Sequence, residues 1–331
     1  MRRVRRWRIL LGLVPGLLAG FGAGASAAEG PDAARPPGWP LPPAHLEALL
    51  ATAPFHVTHV DRHIGGVSGA VRLEIRFPET GQELAVKWKA TPRGRADGWN
   101  NSPRREIAAY EVQKLFLDPP DYVVPTAALR CIPTRDYWPI RGRPAPTWEG
   151  TPCVLGLLSV WIAEVRADPL VLDRERFRTD RAYARELAHL NLLTYLIAHR
   201  DGRPGNFLES RLGPRVYAVD NGISFGTLVH NFLVPNWDVL RVPALPRDTV
   251  ARLRRVGEGE LRALGVVAEL RWDRLAGLAP APRGPNLDPR TGVRRTPGRL
   301  QIGLSRSEID GLRSRLRELL ARVDRGEIPL F

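Results

Sequence analysis

The chain reads as an α+β protein of two lobes, a small antiparallel-sheet lobe followed by a mostly helical one. Three features point there. Between Phe55 and Val165, short runs alternate apolar and polar residues, the period of half-buried strands. One strong helical pattern, Arg104–Leu117, interrupts those runs. From Arg181 onward, apolar residues recur at helical spacing over long segments. With 331 residues and 44% hydrophobic content, the chain can build one large domain or two lobes with a real core.

The first 28 residues stand apart. Arg2, Arg3, Arg5, Arg6 and Arg8 precede the apolar run Ile9–Gly24, and Ala25-Ser26-Ala27 offers a small-residue cleavage site. This is the layout of a secretory signal peptide. The run is broken by Pro15 and several glycines and is short for a membrane span of about 20 residues. A cleaved signal is therefore expected over residues 1–28, with no stable span afterwards and a periplasmic or secreted location. Residues 29–43, rich in Pro, Gly and Ala, read as a flexible leader. Lys plus Arg outnumber Asp plus Glu by 49 to 35, but the arginines form no stripe with interleaved aromatics. Nucleic acid is not expected as a partner; a basic surface favours an acidic substrate, a nucleotide or an anionic membrane. Only Cys131 and Cys153 occur, and in an exported protein they form either one disulfide or two buried thiols.

The sheet lobe is expected over 44–165 and the helical lobe over 166–331. Ala44–Ala51 opens with a short helix. Phe55–Phe77 reads as a hairpin around a glycine-rich turn with Gly65, Gly66, Ser68 and Gly69. Such a turn is either a simple connection or a cradle whose backbone N–H groups approach phosphates. In the strand Glu83–Lys89, period two puts Ala85, Lys87 and Lys89 on one face. Leu84-Ala85-Val86-Lys87 matches the V-A-I-K strand of protein kinases, in which the Lys reaches the phosphates. Lys87 is the candidate and Lys89 the fallback; the competing reading is an exposed strand with snorkelling lysines. In the helix Arg104–Leu117, Glu106 either complements the dipole of the first turn or pairs with Lys87, with Glu111 as its rival. A strand follows from Tyr122 to Ile132, then Pro-rich loop over 133–152, then the buried strand Val154–Val165. Asp168–Asp180 reads as a connecting segment and Arg181–Ala198 as a long helix. Arg247–Val256, Glu258–Trp272 and Ser305–Val323 read as further helices, the last with a Ser305/Glu308 capping box. Residues 279–299 read as an exposed loop.

The densest chemistry lies between His199 and Gly222. His199-Arg200-Asp201 is followed five residues past the Asp by Asn206, the H-R-D-x-x-x-x-N spacing of a kinase catalytic loop. Arg215–Val219 then reads as a short strand delivering Asp220-Asn221-Gly222, where a kinase carries Asp-Phe-Gly. Phosphoryl transfer needs one carboxylate to orient the attacking hydroxyl and accept its proton, and oxygen ligands to hold Mg2+ against the phosphates. Asp201 suits the first task, Asn206 and Asp220 the second. Without chemistry, the same letters would describe two turns around a hairpin.

Glu106-Ile107-Ala108-Ala109-Tyr110, Val124-Pro125, the D-x-x-x-x-N loop and Asp-Asn-Gly together resemble the atypical kinases of the secretory pathway, whose best-known member is the Golgi casein kinase. The pattern is also similar to phosphatidylinositol 3- and 4-kinases, whose loop likewise ends in Asp-Asn-Gly. The resemblance spans roughly residues 55–250. It implies a two-lobed kinase fold with ATP and Mg2+ or Mn2+ between the lobes. It implies Lys87 on the phosphates, Glu106 supporting Lys87 or the metal, Asp201 in catalysis and Asp220 on the metal. Asn206 departs from the Golgi pattern, which has an acidic residue there, and follows ordinary kinases. Two cysteines are too few for the several disulfides of the Golgi enzymes.

The expected activity is transfer of the ATP γ-phosphate to a hydroxyl of a protein Ser/Thr, a sugar or a lipid. Two other readings stay open. One is a catalytically silent kinase fold acting as a binding module, motivated by the scarcity of ATP outside a bacterial cytoplasm. The other is a sugar or antibiotic phosphotransferase, which shares the Asp, the Asn five residues on, and a later metal Asp.

Overall fold

The computed structural model describes residues 38–62, 69–98, 102–142, 144–167, 169–226, 237–275 and 277–331. The expected signal peptide, most of the leader, and Gly65, Gly66 and Ser68 of the glycine-rich turn lie outside them. No helix of the described residues is long and apolar enough to cross a membrane.

The first half is built on a five-stranded antiparallel sheet. Helix α1 (Pro43–Thr52) precedes β1 (His56–Asp61), β2 (Val71–Arg76) and β3 (Glu83–Ala90). Helix α2 (Pro103–Gln113) follows, then β4 (Ala127–Pro133), the one-turn α3 (Trp138–Arg141) inside the expected loop, and β5 (Cys153–Val160). The strand order is β1-β2-β3-β5-β4. Strand β5 is buried along its whole length, which explains a text that is apolar except for Ser159. Gly156 is required there: a Cβ would lie 2.6 Å from the Trp88 ring. Trp88 fills that space and donates its indole N–H to the Tyr137 hydroxyl at 2.9 Å.

Helix α2 starts at Pro103, whose missing N–H costs nothing in a first turn. Ile107, Ala108, Tyr110 and Val112 are buried, and the helix packs against β4. Cys131 and Cys153 form a disulfide joining β4 to β5, which settles the alternative left by the sequence. Closing a loop of this size constrains the unfolded chain by roughly 3 kcal/mol.

Beyond β5 the chain forms β6 (Val165–Arg166), α4 (Arg174–Thr179) and the long α5 (Arg181–Leu196). A hairpin of β7 (Phe207–Ser210) and β8 (Val216–Ala218) completes a three-stranded sheet with β6. Helix α5 is buried through its middle, with Leu187, Leu190, Leu193 and Leu196 inside. The Asp180 side chain caps it by accepting from the Tyr183 N–H.

Two expectations are corrected in the last third. Helix α7 (Glu258–Ala263) stops short, and Ala268–Asp273 is strand β9, not the end of a helix reaching Trp272. Residues 279–299 are an exposed loop only in their middle, 282–292: β10 (Gly277–Ala281), β11 (Val293–Thr296) and β12 (Arg299–Ile302) form a four-stranded antiparallel sheet with β9. Two of the pairings are tight hairpins, β9–β10 and β11–β12, and β12 then pairs with the more distant β9; the Pro, Arg and Gly content of the strands disguises them, because pairing outweighs intrinsic preference. Strand β10 packs on β4, so this sheet leans on the first half of the chain. Helix α6 (Arg247–Leu253) precedes α7 (Glu258–Ala263), and α8 (Arg306–Asp324) closes the chain with the expected Ser305/Glu308 capping box. The observed class is thus α+β with antiparallel sheets.

Candidate active site

Strand β3 and the first turn of α2 supply one wall. The Lys87 and Lys89 side chains leave the same face of β3, as period two requires. Lys87 Nζ lies 3.4 Å from Glu106 Oε2 and 3.9 Å from Asp220 Oδ1. Lys89 Nζ lies 3.6 Å from Glu106 Oε1 and 2.6 Å from Asp220 Oδ1. Both lysines therefore meet the same two carboxylates. Lys89 is the more deeply set, its side chain 1% exposed against 16% for Lys87. The rival Glu111 points elsewhere, to Lys114 and Arg283.

The opposite wall comes from the loop between α5 and the β7–β8 hairpin. The His199 N–H donates to Thr194 O, the Arg200 N–H to Ile223 O, and the Val219 N–H to Asn206 O. Ala198, Asp220 and Phe225 hold positive φ angles of 48°, 59° and 59°. Such backbone strain concentrates where a fold must aim side chains. The Asn206 amide nitrogen donates to both the carbonyl and the Oδ2 of Asp201, each at 2.8 Å. His199 is fully buried against Phe207, and burial pushes its imidazole down to about 4.

Between the walls lies a cleft of about 470 Å3, within the usual size of a ligand site. Lys87, Lys89, Glu106, Asn206 and Asp220 line it, and Val124, Ala127, Ile162, Val165, Leu208 and Val219 give it an apolar end. Asp201 is buried and is not part of the lining. Arg203, which is, rests against it: its Nε lies 3.3 Å from Asp201 Oδ2 and its Nη2 3.7 Å from Asp220 Oδ2. Arg203 carries no motif of its own and is absent from the expected site residues, although it is the one basic residue between Asp201 and Asn206. Gly69 is described but lies outside the lining, where its neighbour Ala70 takes part. Gly66 and Ser68 fall outside the described residues.

The electrostatics follow from this crowding. Burial would push the Asp220 carboxyl up, but Lys87 and Lys89 hold it well below the usual carboxylate range. Burial would pull the Lys87 ammonium down; Glu106 and Asp220 outweigh it and hold it above its ordinary value. Lys87 and Asp220 thus both stay charged throughout the neutral range.

A second polar cluster lies apart from the cleft. Asp121, Glu186 and His189 offer potential ligand atoms within 4.8 Å of one another. Arg215 already pairs with Glu186 at 2.7 Å and lies 3.7 Å from Asp121, and Arg185 lies 3.3 Å from Asp121. Positive charge is therefore supplied by guanidinium groups. Burial outweighs Arg215 and pushes the Glu186 carboxyl up to about 7. Burial pushes the His189 imidazole down to about 4.

The arrangement can hold an anion between lysines, arginine and strand, with oxygen ligands from Asn206 and Asp220 beside it. No family model matches this chain, and no curated protein sequence matches it.

Proposed function

We propose that this chain is an exported, ATP-dependent phosphotransferase with a two-lobed, kinase-like fold, acting on a hydroxyl acceptor. One observation carries the reading: Lys87, Glu106 and Asp220, far apart in sequence, meet through contacts of 3.4 and 3.9 Å at a cleft that Asn206 also lines. A strand lysine paired with a helix glutamate and facing a metal-binding Asp is the arrangement kinases need for transfer. The five-stranded sheet with α2 between β3 and β4 supports the fold assignment.

The donor set fits a nucleotide and a hard divalent cation. Asp220 and Asn206 bring oxygens, which Mg2+ or Mn2+ prefers to nitrogen or sulfur. Bound there, the ion would neutralise charge on the phosphates. Lys87 and Lys89 would bind phosphate oxygens, Glu106 would keep both ammonium groups aimed, and the apolar end would take the base. The Ile162 N–H has no partner among the described residues and belongs to the segment following β5, where backbone groups would read that base. Asn206 fixes the Asp201 carboxylate, which would accept the acceptor proton once Arg203 turns toward phosphate. The disulfide supports an oxidising compartment.

A second reading, nucleotide binding without transfer, is favoured by the Lys89 ammonium on Asp220 and by the burial of Asp201. A panel of protein, sugar and lipid acceptors with γ-labelled ATP separates the two, alongside calorimetry with ATP and Mg2+. Label in one acceptor class supports transfer and names the substrate. Tight binding with no label in any class or in water supports the second reading. No binding in wild type removes both.

A further inference from the structure

Helix α2 presents Glu106 to the lysines from one side and is gripped from the other by the C-terminal third. Arg104 and Glu106 are two residues apart, so they leave the helix on nearly opposite faces. Arg104 is buried. Its Nη1 lies 2.5 Å from Glu308 Oε2 and its Nε 2.6 Å from Asp97 Oδ2. The next residue, Arg105, puts Nε 3.0 Å from the other oxygen, Glu308 Oε1. One carboxylate thus binds two consecutive arginines in the turn that carries Glu106, across 204 residues of sequence.

Other contacts reinforce this hold. Arg104 also donates to Gly303 O at 3.3 Å. A Cβ at Gly292 would lie 2.6 Å from the Arg104 guanidinium, so the turn before β11 stacks directly on it. Arg283, after β10, pairs with Glu111 at 2.9 Å farther along the helix. Glu308 is itself fixed, accepting the Ser305 N–H at 2.9 Å in the capping box of α8.

We infer that Glu308 is a positioning residue for the site: it locks the first turn of α2 in the orientation that directs Glu106 at Lys87 and Lys89. The C-terminal sheet and α8 then act as an internal brace, holding in place the lysine–glutamate pair whose assembly controls kinase activity. This rests on the phosphotransferase reading for its catalytic consequence, but the brace itself is a property of α2.

The test combines Glu308→Gln and the milder Arg105→Gln with Glu106→Gln, in the full-length mature protein. Hydrogen exchange is read first, without substrate. Faster exchange at the α2 amides with α5 unchanged is the expected result; unchanged α2 exchange in both variants overturns the brace, whatever the activity. Turnover is read second. Glu308→Gln should lower it roughly tenfold to hundredfold through misplacement of Glu106, and should add nothing further in the Glu106→Gln background. Equal losses in both backgrounds would overturn the positioning role and leave only a structural one. Arg105→Gln keeps the buried Arg104 pair and serves if Glu308→Gln fails to fold. Absence of turnover in wild type would count against the phosphotransferase reading, while the exchange data would still decide the brace.

Discussion

The Lys89 ammonium lies 2.6 Å from the Asp220 carboxylate across 131 residues of sequence, and Lys87 lies 3.9 Å from the same oxygen. The two lysines sit one strand repeat apart yet differ in exposure, and this predicts a division of labour. Lys89→Met removes a buried cation and leaves Glu106 and Asp220 crowded, so stability should fall by about 3 kcal/mol or more. Lys87→Met, at the more open position and with Lys89 still paired to both carboxylates, should lower stability clearly less and cut turnover about a hundredfold. Thermal unfolding and turnover of both variants check the split; equal stability losses would refute it.

Arg203 reaches both Asp201 and Asp220 and is about a third exposed, at 37%. If Arg203 turns toward phosphate as proposed, Arg203→Ala should lower turnover about tenfold to hundredfold, with little effect on stability. A matching loss of stability would show that Arg203 is structural instead.

The second cluster predicts a pH dependence. The Glu186 carboxyl is raised from 4.5 to about 7 in the folded chain. Its contribution to stability is therefore present below 4.5 and is lost as pH rises toward 7. The imidazoles of His189 and His199 are lowered from 6.5 to about 4, so their contribution is present above 6.5 and lost as pH falls toward 4. Removing the carboxylate isolates the alkaline limb. Between about pH 5 and about pH 8, Glu186→Gln should gain on wild type by about 3 kcal/mol. Denaturant unfolding at several pH values checks this; a difference independent of pH would contradict it.

The disulfide joins two neighbouring strands on which the C-terminal sheet rests. A Cβ at Gly277 would lie 2.6 Å from Cys153 Sγ, so the start of β10 packs on the bridge. Reduction, or Cys131→Ser with Cys153→Ser, should lower stability by roughly 3 kcal/mol, and protection of the β10 amides should fall with it. An unchanged unfolding midpoint under reducing conditions would count against a structural role.

Much of this architecture was legible because the relevant signals are local. Alternation placed Lys87 and Lys89 on one face of a strand, and the Leu spacing of residues 187–196 marked the helix leading into the loop. The Asp201–Asn206 spacing marked a turn that the structure closes with two hydrogen bonds. What stayed hidden depends on partners that the local pattern does not announce. Val266–Trp272 carries as much helical as strand pattern, and only β10 and β12 on either side make it a strand. Glu308 reads as a helix cap, which it is; nothing near it in sequence announces Arg104 and Arg105. Period two could not rank Lys87 against Lys89, because their difference in depth is set by the helix and hairpin packed over them.

Whether these side chains move a phosphoryl group is decided by turnover of γ-labelled ATP by the purified protein. Wild type should release or transfer label in the presence of Mg2+ or Mn2+, and Asp201→Ala and Asp220→Ala should each reduce that rate at least about a hundredfold while remaining folded. Equal rates in all three proteins, or no turnover by wild type with either metal, would contradict phosphoryl transfer by this site.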